Sequence, residues 1–282
     1  MKKTKNDGAY YVWSMSILLC LVLALFALCF ASCAKAPEAS GEQTPTPPAS
    51  STEPVSPPAQ SEEIMPPSQH PSTQPTPPPP TVLGETPDAG QEYLDRFVFL
   101  GDSTTYGLQS YGILPATQVW TPTSGTLTLS RWNIDQIRFP DTDTDMFVTE
   151  AIAIKKPEYL LVTLGINGVA FLEESVFIEN YKNLVVALQE ASPDTKIILN
   201  SIYPVGVHYD TSTGINNEKI TAANGWIERV AEDTGVRFLT SGEALKLPDG
   251  TLNEDYNNGD FLHLNPDGYN LILDYVRTHG YK

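Results

Sequence analysis

A serine stands near the start of the foldable part of this chain and a histidine near its end. The serine lies in Phe99-Leu100-Gly101-Asp102-Ser103-Thr104 and the histidine in Asp260-Phe261-Leu262-His263, with Leu164-Gly165-Ile166-Asn167-Gly168 between them. A Ser hydroxyl is a poor nucleophile at neutral pH unless a base takes its proton, and the base needs a third group to fix its tautomer. His263 and Asp260 are the residue types that supply those two parts. Asn167 carries an amide able to donate to an oxyanion as it develops. Together these types support acyl transfer through serine.

Other residues compete for the same roles. Residues 91–282 hold three histidines. His279 is near the end, His208 is in a loop after Pro204, and His263 stands just before a helix and is the best-placed base. Asp260 is the expected orienting acid, with Asp255 as fallback. Asp102 reads as a hydrogen-bonding residue of the turn. The Gly-x-Ser-x-Gly elbow of α/β-hydrolases is absent, because Thr105 stands where its last glycine belongs. Asp141-Thr142-Asp143-Thr144-Asp145 is like the start of a calcium loop, but Met146 replaces the glycine that the turn needs. It reads as a solvated turn leading into a helix, and neither a metal nor an organic cofactor is expected. Tyr106, Tyr111, Trp120 and Trp132 gather near the serine in sequence. Most aromatics of this kind pack a core, and one or two could present a platform to a sugar ring.

The order Ser, Asn, Asp, His, with the Asp three residues before the His, resembles the SGNH/GDSL hydrolase family over roughly residues 95–280. The resemblance implies a flavodoxin-like three-layer α/β/α sandwich with a parallel sheet, and an esterase with Ser103 as nucleophile, His263 as base and Asp260 as orienter. It also implies an oxyanion hole built from the Ser103 N–H, a second-block glycine and Asn167. Gly125 in Ser124-Gly125-Thr126 is the closest match for that glycine, with Gly107 and Gly112 as alternatives. The family's usual Asp after the asparagine is Gly168 here, which takes away local support from that loop.

Elements that would position these residues are legible. Phe97–Leu100, Leu160–Leu164, Lys196–Asn200 and Val236–Leu239 read as strands, with a weaker one at Gln118–Trp120. Phe177, Tyr181, Leu184, Val185 and Leu188 recur at helical spacing, as do Ile220, Ala223, Ile227, Val230 and Ala231. A last helix starts with Asn265 as N-cap and Pro266 in its first turn, and stops near Gly280. Alternating β and α units imply a parallel sheet covered on both faces, with the motif residues collected outside the carboxyl ends of its strands.

The chain of 282 residues divides by composition into three parts. In residues 1–33, Lys2, Lys3 and Lys5 precede an uncharged apolar run from Val12 to Ala31, the pattern of an export signal or a membrane anchor. Phe30-Ala31-Ser32-Cys33 resembles a bacterial lipobox, which makes Cys33 the expected lipidation site. All three cysteines fall in this leader, so the remainder has no disulfide framework. Residues 34–90 contain 16 of the 24 prolines and no aromatic residue. Such a segment cannot bury enough apolar surface to order itself and reads as an extended spacer.

Residues 91–282 form one domain, with 13 Lys and Arg against 26 Asp and Glu, a balance of −13. That excludes nucleic acid and charge-driven docking on anionic lipid. The combined expectation is an exported esterase on the outer face of a bacterial membrane, held there by an N-terminal lipid or anchor. Its partner is a small acyl ester or an acylated glycan, and the leading reading is deacetylation of a carbohydrate. A short-chain lipid esterase, an acyltransferase and a non-catalytic ligand-binding lipoprotein are the alternatives. Oligomeric state is not legible.

Overall fold

The computed structural model describes residues 80–282. The leader, Cys33 and nearly all of the proline-rich spacer lie outside the described residues.

Five strands form the main sheet: β1 (Phe97–Gly101), β2 (Val119–Trp120), β5 (Tyr159–Thr163), β6 (Lys196–Asn200) and β7 (Arg237–Leu239). They are ordered β2-β1-β5-β6-β7, and every pairing is parallel. Every residue of β1 and β5 is buried, which is why both read as unbroken apolar runs. Two apolar layers result. Val98, Leu100, Leu160, Val162, Ile197 and Leu199 pack on one face, against α3 (Val148–Lys155), α4 (Glu174–Ala191) and α5 (Asn217–Thr234). Phe97, Phe99, Tyr159, Leu161 and Ile198 point the other way, toward α1 (Gln91–Leu94), α2 (Ser103–Ser110) and α6 (Pro266–Thr278). This is the expected three-layer α/β/α sandwich.

The long helices form where the periodicity places them. The buried residues of α4 are Phe177, Tyr181, Leu184, Val185 and Leu188. Those of α5 are Ile220, Ala223, Ile227, Val230 and Ala231. Each large apolar side chain enclosed this way contributes about 1.5–3 kcal/mol from removal of its surface from water. Asn265 caps α6 by accepting from the Gly268 N–H at 3.0 Å, with Pro266 at the first turn.

Two expectations change. The aspartates after Pro140 are not a simple turn before a helix, because β3 (Ile137–Phe139) and β4 (Thr144–Met146) pair antiparallel around them. Arg138 binds Asp143 and Asp145, and Lys155 binds Asp141, so all three carboxylates face cations. Residues 80–90 also belong to the fold and not to the spacer. Val82 bridges Phe238 in parallel, the Leu83 N–H donates to the Phe238 carbonyl at 2.8 Å, and Leu83 is buried. Thr86 and Ala89 then bond to the carbonyls of Thr278 and Arg277 at the end of α6. This one-residue bridge lies along the edge of β7, which a composition boundary cannot reveal. A fragment starting at residue 91 should therefore melt below one starting at residue 80. Leu83→Ala alone should cost roughly 2–3 kcal/mol in chemical denaturation.

Candidate active site

Strand order reverses between β1 and β5, so the chain leaves their carboxyl ends in opposite directions and a crevice opens there. Ser103 follows β1 and Asn167 follows β5. Gly101 ends β1 where no side chain fits, since a Cβ would lie 2.6 Å from the Thr163 carbonyl oxygen. Asp102 comes next, fully enclosed, and starts α2 as its N-cap. Its Oδ1 accepts from the Thr104 N–H at 3.0 Å and the Thr104 hydroxyl at 2.8 Å. Ser103 is thus the first residue of α2. Its own N–H stays unspent among the described residues, as expected of a first-turn donor.

The histidine is placed by a chain of side-chain turns. Asn257 Oδ1 accepts from the Gly259 and Phe261 N–H groups, and Asn258 Oδ1 accepts from the Asp260 N–H. Asp260 Oδ1 then accepts from the Leu262 and His263 N–H groups at 2.9 and 2.8 Å. Phe261 is forced to φ 64°, and its carbonyl is held by the Gly206 N–H at 2.8 Å. His263 leaves this loop just ahead of the α6 cap. Its Nδ1 lies 2.7 Å from Asp260 Oδ2, and its Nε2 lies 2.8 Å from Ser103 Oγ. Asp255 is not the partner: its carbonyl accepts from Asn265 Nδ2 and its N–H donates to Asn253 Oδ1, away from His263. His208 lies 3.9 Å from Glu254 and His279 stacks on Tyr275, so neither joins the site.

Asn167 also arrives, by way of the backbone. Gly165 takes φ 129°, and a Cβ there would lie 2.8 Å from Ile202 Cδ1 and 3.0 Å from the Phe177 ring. Its carbonyl accepts from the Gly168 and Val169 N–H groups at 2.8 and 2.9 Å. The loop that carries Asn167 and Gly168 is thus closed by a tight backbone turn. Asn167 Nδ2 donates to Asp102 Oδ2 at 3.2 Å and to the Leu127 carbonyl at 3.4 Å. Gly125 does not take the place expected of it. Its N–H donates to the Pro122 carbonyl at 2.8 Å, closing a turn with φ 72°, so it is committed elsewhere. Of the alternatives, Gly112 donates to the Gln109 carbonyl and Gly107 lies inside α2. Ser103 N–H and the Asn167 amide remain as the candidate oxyanion donors.

Two carboxylates differ sharply in electrostatics. Burial pushes Asp102 up to about 6, although its bonds from Thr104 and the charge of His263 oppose that. For Asp260, burial also works upward, but the His263 backbone and ring bonds and the Leu262 N–H outweigh it and hold the carboxyl below its usual range. Asp260 is therefore ionised at neutral pH, as an orienter of imidazole must be. The geometry can transfer a proton from Ser103 Oγ to His263 Nε2 and stabilise the imidazolium through Asp260.

Residues 99–271 match the GDSL-like Lipase/Acylhydrolase family. The chain belongs to it. Among solved structures, a DUF4886 family protein from Bacteroides uniformis is 15% identical, with 66% of this chain and 83% of that one covered at a TM-score of 0.50. A GDSL-like lipase from Bacteroides thetaiotaomicron is 20% identical, with 66% and 87% covered at 0.46. Axe2, an acetylxylan esterase from Geobacillus stearothermophilus, is 16% identical, with 66% and 94% covered at 0.43. No curated protein matches the chain.

Ser103→Ala or His263→Ala should lower kcat on an aryl acetate by at least ~10⁴-fold, and Asp260→Ala by less, roughly 10²–10⁴-fold. Asn167→Ala should cost about 10²–10³-fold in kcat with little change in KM. Steady-state kinetics on folded variants check all four. Asp102 generates a separate expectation. Its folded pKa is raised above the unfolded value, so its contribution to stability is full below about pH 4 and is lost as pH rises through about 6. Relative to wild type, Asp102→Asn should therefore gain on the order of 2–3 kcal/mol between pH 4 and pH 7. Denaturant titrations at the two pH values measure it.

Proposed function

We propose that this chain is an extracellular serine esterase that removes small acyl groups, acetyl first among them, from a carbohydrate. The observation that carries the enzymatic part is the unbroken relay Ser103 Oγ–His263 Nε2–Nδ1–Asp260 Oδ2, at 2.8 and 2.7 Å. Ser103 Oγ attacks the ester carbon while His263 takes its proton. The oxyanion meets the Ser103 N–H and the Asn167 amide. Collapse breaks the C–O bond to the alcohol, and His263 returns the proton to the leaving oxygen. Water, deprotonated by His263, then attacks the acyl-serine. Acetate leaves, and Ser103 regains its proton.

Two observations support the substrate class. The cleft opening on Ser103 holds about 200 Å³, below the ~300–1,000 Å³ of sites for drug-sized molecules, and offers no long channel to an acyl chain. The export leader and proline-rich spacer read from the sequence suit an enzyme that works on a glycan outside the cell.

The purified full-length protein should react with a fluorophosphonate probe, and Ser103→Ala should not. Aryl esters of two to twelve acyl carbons, followed by acetate release from acetylated xylo-oligosaccharides and O-acetylated peptidoglycan fragments, test the substrate. The expected result is a steep fall with acyl length and free acetate from a glycan. No probe labelling would leave a binding protein. A preference for acyl chains of about eight carbons or more, without acetate release, would leave a lipid esterase. Transfer of the acetyl group to an added acceptor glycan would leave a transferase.

A further inference from the structure

The face of α2 that begins at Ser103 continues through Tyr106 and Ser110, three and seven residues on, so one helical stripe leads away from the triad. Tyr111 follows at the C-cap, and the loop before His263 brings Asn258 to the other side. These residues, with Ser103 and His263, line the cleft of about 200 Å³. Tyr106 and Tyr111 are 43% and 45% exposed, so both rings are open to solvent at the cleft. Tyr269 on the same cleft spends its hydroxyl on the Thr104 carbonyl at 2.8 Å, while the Tyr106 and Tyr111 hydroxyls have no such bond among the described residues. Asn258 is oriented by accepting the Asp260 N–H on Oδ1 at 3.1 Å, which turns its NH₂ group to other partners.

We propose that this cleft is the sugar subsite: it seats the pyranose ring bearing the ester, with Tyr106 and Tyr111 against its C–H face and Ser110 and Asn258 on its hydroxyl edge. An acyl pocket would be walled by aliphatic side chains. Here one such side chain, Leu264, stands among the three phenols of Tyr106, Tyr111 and Tyr269, a hydroxyl and an amide. A sugar ring has the same mixture of apolar face and polar rim, and aromatic side chains with free polar tips suit it. Because the cleft shares Ser103 and His263 with the triad, a ring seated in it holds its ester oxygen beside the group that protonates it. The inference rests on the glycan-esterase reading.

Full-length wild type, Tyr106→Ala, Tyr111→Ala and Ser110→Trp are compared on p-nitrophenyl acetate and on the acetylated oligosaccharide that wild type cleaves best. Each variant should raise KM for the oligosaccharide about tenfold, with kcat changed far less. The ratio of kcat/KM on oligosaccharide to that on aryl acetate should fall with it. Tyr106→Phe should keep most of the ratio, since the ring is retained. Ser110→Trp adds bulk at an exposed position, so it reads the cleft even where an alanine variant loses its fold. A ratio unchanged in all three overturns the subsite while the glycan reading stands. Wild type that cleaves the aryl acetate but releases no acetate from any glycan overturns both.

Discussion

The enclosed carboxylate of Asp102 joins the turn between β1 and α2 to the loop after β5, 65 residues away in sequence. One oxygen ends β1 and caps α2 through Thr104, and the other receives the amide of Asn167 from the loop after β5. Ser103 is the adjacent residue, so a displacement of the cap displaces the nucleophile and the oxyanion amide together. Burial works against the charge, and the Thr104 donors, the Asn167 amide and nearby His263 are what make it tolerable. Below it, Ser241 Oγ donates to Asn200 Oδ1, and Asn200 Nδ2 donates to Thr163 Oγ1 and to the Tyr203 hydroxyl. The carboxyl edge of the sheet is therefore a satisfied polar layer between two apolar ones, which fixes its groups in single orientations.

The histidine half of the site is held differently. Asn257, Asn258 and Asp260 fold their loop through short-range side-chain bonds, a local solution that needs no core. What sets the two halves in register is α6. Tyr269 is buried against α2 and donates to the Thr104 carbonyl at 2.8 Å, tying the helix after His263 to the helix that starts at Ser103. The Ser103–His263 bond thus records a distance imposed by packing and does not have to maintain it. The left-handed backbone of Phe261, roughly 1–2 kcal/mol unfavourable for a residue with a Cβ, is held in place by the Gly206 bond.

Sequence patterns were most informative where a single period dominates. β1, β5 and β6 are runs buried on both sides, and α4 and α5 carry one apolar stripe each, so their type and core residues followed directly. Ser103, Asn167, Asp260 and His263 were legible as candidates because the roles proposed for them demand particular side chains, and the structure brings Ser103, Asp260 and His263 within hydrogen-bond distance. The second-block glycine was not, since an oxyanion donor of that kind is a backbone N–H and any residue carries one. Gly125 drew attention as a glycine, but its positive φ belongs to a turn that consumes its N–H. The β3–β4 hairpin was hidden because its strands have three residues each and one is largely solvated. The bridge at Val82 was hidden because its proline-rich neighbours mask a pairing that only tertiary context supplies. Asn257 and Asn258 were missed although three side-chain-bonding residues within four positions, beside the candidate acid, are a signal for such a loop.

These two modes of support bear on how much the site must change when substrate binds. Ser103, His263 and Asp260 already stand at hydrogen-bond distance, so proton transfer needs no closure of a distant element. The Ser103 N–H is uncommitted among the described residues. Only Asn167 has its donors spent, one on Asp102 at 3.2 Å and the other on the Leu127 carbonyl at 3.4 Å. The bond to Asp102 is charge-assisted and buried, whereas the longer one goes to a neutral carbonyl. An oxyanion is a better acceptor than that carbonyl, so its formation can draw the second amide proton away while Asp102 keeps the first. Reorganisation is then confined to one weak hydrogen bond. On the proposed mechanism the Ser103 N–H is in place before the charge develops, which is the condition under which fixed donors lower a barrier most.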